Sequence, residues 1–138
     1  MLVMKVDEEK EISYSDDDDL VTQFVDWTSE AVVELRQIVD DFAEPGLRGS
    51  AEVSRLYDLV HNIKGMGGSF NFNLMTVIGT GLCAYLKAMD VARPVSKRIL
   101  EAHVRAIEVV LENRITGTGG VQGETLKLRL QAIVQEES

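Results

Sequence analysis

Leu20-Val-Thr-Gln-Phe24-Val-Asp-Trp27-Thr-Ser-Glu-Ala31-Val-Val-Glu-Leu35-Arg-Gln-Ile38-Val-Asp-Asp-Phe42 places apolar residues at Leu20, Phe24, Trp27, Ala31, Leu35, Ile38 and Phe42. Steps of four and three follow the turn of an α-helix, so these side chains form one stripe along a helix of about six turns. The acidic run Asp16 to Asp19 precedes the stripe. Carboxylates there meet exposed amides and the positive end of the helix dipole, so capping explains the run more simply than a metal site does. Glu44-Pro-Gly-Leu-Arg-Gly49 then breaks the helix with a proline and two glycines.

The same pattern recurs downstream. Ser50 is placed to cap a second helix with Val53, Leu56, Val60, Ile63 and Gly67 on its inner face, ending in Gly68-Ser-Phe70-Asn71. A third helix over about residues 74–92 has Met75, Ile78, Leu82, Leu86 and Met89 in steps of three and four. Pro94 separates it from a fourth over about residues 95–115, with Leu100, Val104, Ile107 and Leu111. Four amphipathic stripes joined by short breaks predict an all-α antiparallel four-helix bundle. The Gly-rich stretch 116–123 is expected to be a flexible linker, followed by a short additional C-terminal helix around Leu126, Leu130 and Ile133 that packs on the bundle. The expected organisation is an N-terminal arm over residues 1–15, the bundle over 16–115, and the connection with its helix over 116–138.

Composition excludes several classes of function. The 138 residues are 45% hydrophobic and 27% charged, as in one ordinary folded domain. A net charge of −9 repels polyphosphate backbones and argues against nucleic acid as a partner. No run approaches the roughly 18 apolar residues of a spanning helix, and the start MLVMKVDEEKE turns acidic where a secretory signal has an apolar core. A cytoplasmic location without membrane contact is expected. A single cysteine, Cys83, and two histidines provide neither an internal disulfide nor an ordinary structural zinc site.

The stretch Tyr57-Asp-Leu-Val-His61-Asn-Ile-Lys64-Gly65-Met-Gly67-Gly68-Ser-Phe70-Asn-Phe72 does not read as packing alone. At about 100° per residue, His61 lies about 130° from the centre of the inner stripe and faces solvent. Gly65 and Gly68 fall within about 40° and 20° of it, and Lys64 stands one turn away. Glycine inside a helix costs about 1 kcal/mol relative to alanine, so three glycines in four positions need a reason. One reason is a ragged helix end with Gly67 in close packing. The other is removal of side chains around an imidazole so that a bulky group can reach it, with Lys64 placed to neutralise added negative charge.

His61-Asn-Ile-Lys64-Gly65-Met-Gly-Gly68 followed by Phe70 resembles the His-x-x-Lys-Gly-x-x-Gly signature of histidine-containing phosphotransfer (HPt) domains of multistep two-component phosphorelays. The related domain of chemotaxis histidine kinases has a similar segment, with Phe-Gly-Phe where this chain has Phe70-Asn71-Phe72. Leu82-Cys83-Ala-Tyr-Leu86 is similar to the Leu-Cys-x-x-Leu of the helix packed beside the histidine helix. The similarity covers about residues 16–115 and implies the four-helix bundle already expected from periodicity. It also implies that His61 accepts a phosphoryl group, that Lys64 pairs with its oxygens, and that Gly65 and Gly68 leave room for a receiver domain. Two positions depart from the pattern. Met66 stands where a small or polar residue is common and is expected to thicken the packing face. Asn71 replaces a glycine and is expected to alter the turn.

An imidazole is largely neutral at cellular pH and keeps one lone pair for attack on phosphorus. Phosphoryl transfer needs in-line positioning and charge neutralisation more than covalent work by the protein, so a sparse acceptor suffices. The resemblance implies that a response-regulator receiver domain, or a hybrid histidine kinase, supplies the phospho-aspartate and Mg²⁺. No cofactor intrinsic to this chain is expected, and it is expected to act as a monomer. No Gly-x-x-x-x-Gly-Lys-Ser/Thr loop is present, and Gly117-Thr-Gly119-Gly120 precedes no Lys-Ser/Thr pair, so a phosphoryl carrier rather than an ATP-using kinase is expected.

Other residues read more plainly. His103, without a glycine floor or adjacent lysine, is expected at the bundle rim, and Cys83 as a buried inert thiol. Trp27, Tyr57 and Tyr85 read as core or rim aromatics, although Tyr57, one turn before His61, is placed to join Gly65, Gly68 and Phe70 in contacting a partner. Two alternatives stay open. One is a non-phosphorylated helical adaptor binding a receiver or partner helix through Tyr57, Phe70 and Phe72. The other is a detached substrate domain of a chemotaxis-type kinase, against which the additional helix argues mildly.

Overall fold

The computed structural model describes residues 14, 16–43, 46–47, 50–88 and 94–137. The expected N-terminal arm, apart from Tyr14 at its end, lies outside the described residues. So do Met89 and the last residues of the expected third helix.

Helices α1 (Asp18–Asp41), α2 (Ala51–Gly67), α3 (Asn73–Ala88), α4 (Lys97–Glu112) and α5 (Gly120–Glu136) make up the all-α architecture. A single 3₁₀ turn, Gly68–Phe70, continues α2. Three helices start at side-chain caps. Asp17 accepts from the Leu20 amide at 3.0 Å, Ser50 from Val53 at 3.3 Å and Ser96 from Ile99 at 3.4 Å. The capping reading of the acidic run therefore holds, with Asp18 and Asp19 in the first turn of α1.

Cross-helix contacts run in opposite directions along each neighbouring pair. Glu34 pairs with Arg55 while Phe24 stacks on Phe70, so α1 and α2 are antiparallel. Gly67 lies against Thr76, Gly79 against Lys64 and Val60, and Lys87 near Tyr57, which makes α2 and α3 antiparallel. Tyr85 meets Ser96 while Gly81 meets His103 across α3 and α4. Lys97 reaches the Phe42 carbonyl while Arg36 pairs with Glu101 and Glu108, closing the ring between α4 and α1. The core between these four helices includes Leu35, Val39, Leu56, Ile63, Ile78, Leu82, Leu100 and Ile107, each buried. Full burial of such a side chain contributes about 1.5–3 kcal/mol, so the four stripes drive assembly.

The segments α1–α2 and α3–α4 also meet each other. Strands β1 (Gly46–Leu47) and β2 (Pro94–Val95) pair antiparallel, with Gly46 opposite Val95 and Leu47 opposite Pro94. Two residues per strand are too few to leave an alternating pattern in the sequence.

The structure corrects four local expectations. Trp27 is not part of the inner stripe: the buried face of α1 centres on Thr28, Leu35 and Val39, and Trp27 lies about 100° from that line, 36% exposed. The C-terminal helix is not short, because α5 has 17 residues, as many as α2. The Gly-rich stretch is not a flexible linker. Gly117 donates to the Asn71 carbonyl at 2.6 Å, Leu74 donates to Gly117 at 2.8 Å, and α5 begins at Gly120, inside the stretch. His103 is not at the rim but 2% exposed, because α5 covers the α3–α4 side of the ring.

Candidate functional site

Helix α2 buries Val53, Leu56, Leu59, Val60, Ile63 and Gly67. His61 therefore points outward and is exposed, as its angle from that face requires. The Tyr57 ring, one turn earlier, lies 5.9 Å from the imidazole centroid and within 9° of parallel. This stacking restrains the imidazole without burying it.

On the α1 side of His61, a groove of about 460 Å³ is lined by Trp27, His61, Asn62, Gly65 and Met66. Trp27 and Met66 are the two large apolar residues exposed there, at 36% and 37%. Met66 therefore faces the groove and does not thicken the packing face. Sequence periodicity marks neither for partner contact. Trp27 was masked because it also fits a four-three stripe; its signal is the angular distance from Thr28, Leu35 and Val39.

The α3 side is a close seam. Gly79 lets α3 approach until an added Cβ would stand 3.0 Å from Lys64 Cβ, and the Thr76 hydroxyl donates to the Lys64 carbonyl at 3.0 Å. Lys64 is half-buried at this seam, with Lys87 following on α3. Burial pushes the Cys83 thiol pKa up, and both ammonium groups pull it the other way, so Lys64 and Lys87 make this seam electropositive. Cys83 is buried and protonated, an inert packing residue.

The three glycines separate by role. A Cβ on Gly67 would stand 2.5 Å from Thr76 Oγ1 and 2.9 Å from the Phe72 carbonyl oxygen, so packing requires glycine there. A Cβ on Gly65 would meet nothing within 4 Å. Among the described residues no neighbour accounts for glycine at this helical position, one turn from His61. Gly68 has φ −64°, a conformation any residue adopts, and is half-exposed at the start of the 3₁₀ turn.

Beyond the turn, Phe70 is half-buried and stacks on Phe24 at 4.5 Å, with Tyr14 at 5.5 Å on it. Asn71 has φ 66°, the left-handed conformation that glycine or asparagine enters most readily. Asn71 thus supplies the left-handed residue of a tight turn. Phe72 is 2% exposed and holds the turn by donating to the Gly67 carbonyl at 2.8 Å. Phe72 is accordingly unable to form the contact face expected of a helical adaptor.

Among the described residues, no group of three or more His, Cys, Asp or Glu side chains is arranged to hold a metal ion. None of the described helices is long and apolar enough to cross a membrane. No family model, no curated protein and no solved structure matches the chain.

Proposed function

We propose that the protein is a histidine phosphotransfer intermediate that accepts a phosphoryl group on His61 from a receiver-domain phospho-aspartate and returns it to another aspartate. The observation that carries this reading is Gly65. Glycine at a helical position costs about 1 kcal/mol, no contact among the described residues repays it, and the space it opens lies beside an exposed imidazole. A partner that must bring its phosphorus within bonding reach of the ring explains that space.

In the proposed step an imidazole nitrogen lone pair attacks phosphorus in line. The N–P bond forms as the acyl-phosphate P–O bond breaks, and the aspartate leaves as carboxylate. Lys64 offsets charge on the equatorial oxygens from the α3 seam. The receiver contributes Mg²⁺, and no ATP chemistry is assigned to this chain. Transfer between receivers places the protein in the cytoplasm.

Around His61 the groove offers Trp27, Met66, Asn62 and Gly65, none of them charged, on a protein of net charge −9. Uncharged docking at the site on a net acidic protein fits a partner that must bind briefly and leave.

Trp27 and Met66 also favour a second reading, an adaptor that binds a partner by this groove without being phosphorylated. Incubation with a phosphorylated receiver and Mg²⁺ separates the two. Acid-labile label on the protein, lost in His61→Gln with the bundle intact, is the expected result. Binding that survives His61→Gln without any transfer by the unaltered protein supports the adaptor instead.

A further inference from the structure

A second cavity lies on the other side of α3. Gly79 and Gly81 are two positions apart, about 200° around the helix, so Gly79 faces α2 and Gly81 faces away from it. There, α3, α4 and α5 line an open cleft of about 590 Å³, within the range of about 300–1,000 Å³ typical of small-molecule sites. Its walls include Val77, Ile78, Ala84, Leu130 and Val134, with Lys127, Gln131 and Gln135 also contributed by α5.

Two observations at this cavity lack an explanation in packing. The first is His103, 2% exposed yet lining the cavity. Its Nδ1 lies 2.8 Å from the Ile99 carbonyl oxygen, which can only accept, so Nδ1 carries the proton and Nε2 presents a lone pair. Among the described residues no hydrogen bond is made to Nε2, and it is not one of the sealed, unpartnered side-chain atoms, so it opens onto the cavity. Burial holds the imidazole below its ordinary pKa, against the weaker opposing effect of the Ile99 hydrogen bond, and so keeps it neutral.

The second is Gly81. It lies inside α3, is exposed, and the nearest atom to an added Cβ is His103 Nε2 at 3.9 Å. Space, not contact, is what glycine provides here, and it opens onto the unpaired nitrogen.

We infer that this cavity binds an apolar small molecule carrying one hydroxyl, which donates its proton to His103 Nε2 while the apolar body lies against α3 and α5. Such a molecule supplies the donor that the fold omits, and the surrounding aliphatic side chains supply the rest of the recognition. The site is independent of the chemistry at His61.

The test uses the full-length protein with 2-naphthol as probe and 2-methoxynaphthalene as control, since the ether keeps the rings and removes the donor. Under NMR titration, 2-naphthol is expected to shift the amides of Gly81 and Val134 and the His103 ring nitrogen. It is expected to bind at least about tenfold more tightly than the ether, the worth of one hydrogen bond. Gly81→Leu fills the opening and is expected to lower affinity at least about tenfold while thermal stability is kept or raised, because leucine is the better helix former. Equal affinity for the two probes, unchanged binding by Gly81→Leu, or shifts confined to the His61 groove would overturn the inference. Self-association that Gly81→Leu abolishes would overturn it as well, by identifying a second copy of the chain as the occupant.

Discussion

Tyr57 and His61 stand one turn apart on α2 with their rings 5.9 Å between centroids and 9° from parallel. An exposed imidazole samples several rotamers, and an adjacent aromatic face narrows them. Such a contact is worth about 0.5–1.5 kcal/mol. Tyr57→Leu keeps apolar volume against the core and removes the ring. Phosphoryl transfer to His61 is therefore expected to slow about 3–10-fold, with unfolding stability within about 1 kcal/mol of the parent. Single-turnover transfer from a phosphorylated receiver measures the first, urea unfolding the second.

Gly65 and Gly67 make opposite predictions from the same substitution. Gly65→Ala adds a methyl to open space and is expected to stabilise the bundle by about 1 kcal/mol through helix propensity while slowing transfer. Gly67→Ala drives a methyl into Thr76 and the Phe72 carbonyl and is expected to destabilise by about 1–3 kcal/mol. Urea midpoints moving in the same direction for both variants would show that the two glycines do not divide as described.

What could be read from the sequence divides along physical lines. The inner face of α2 and the outward position of His61 follow from a fixed angle per residue, so local periodicity is enough. Trp27 and His103 defeated that reasoning for different causes. A four-three stripe tolerates a residue about 100° from its centre, which placed Trp27 inside. His103 is buried by α5, an element distant in sequence that periodicity within α4 does not report. Composition misled at residues 116–123, because glycine serves tight packing as well as flexibility. The hydrogen bonds of Gly117 and the close contacts of Gly119 and Gly123 distinguish the two.

Arg36 joins α1 to α4 through Glu108, with Nη2 to Oε1 at 2.9 Å, and also meets Glu101 and Asp40. The Arg36 guanidinium holds the Glu108 carboxyl below its ordinary pKa, against partial burial that acts to raise it. Because the folded-state pKa is depressed, the stabilisation is complete above the unfolded carboxylate pKa of about 4.3 and is lost as pH falls through the folded value. Arg36→Met is expected to destabilise by about 1–2 kcal/mol at pH 7, and the difference from the parent should shrink below about pH 4. Urea unfolding across that range tests it: a pH-independent difference would assign the loss to packing of the arginine stem rather than to the ion pair.

Gly123 tests whether α5 is docked by its first turn. A Cβ there would run into the Thr118 carbonyl oxygen, and a Cβ on Gly119, at φ +77°, would stand 3.0 Å from Leu74 Cδ2. No rotamer relieves a clash between Cβ and backbone, so Gly123→Ala must open the turn that holds α5 against α3 and α4. Hydrogen exchange is expected to accelerate at Leu130 and Ile133 by at least about tenfold, which corresponds to about 1.4 kcal/mol of lost local stability. Leu56 and Ile63, packed within the four-helix ring, should keep their protection. Exposure of the cavity wall should also weaken 2-naphthol binding while leaving phosphorylation of His61 intact. Uniform loss of protection along α2 would instead mean that α5 and the ring unfold as one unit.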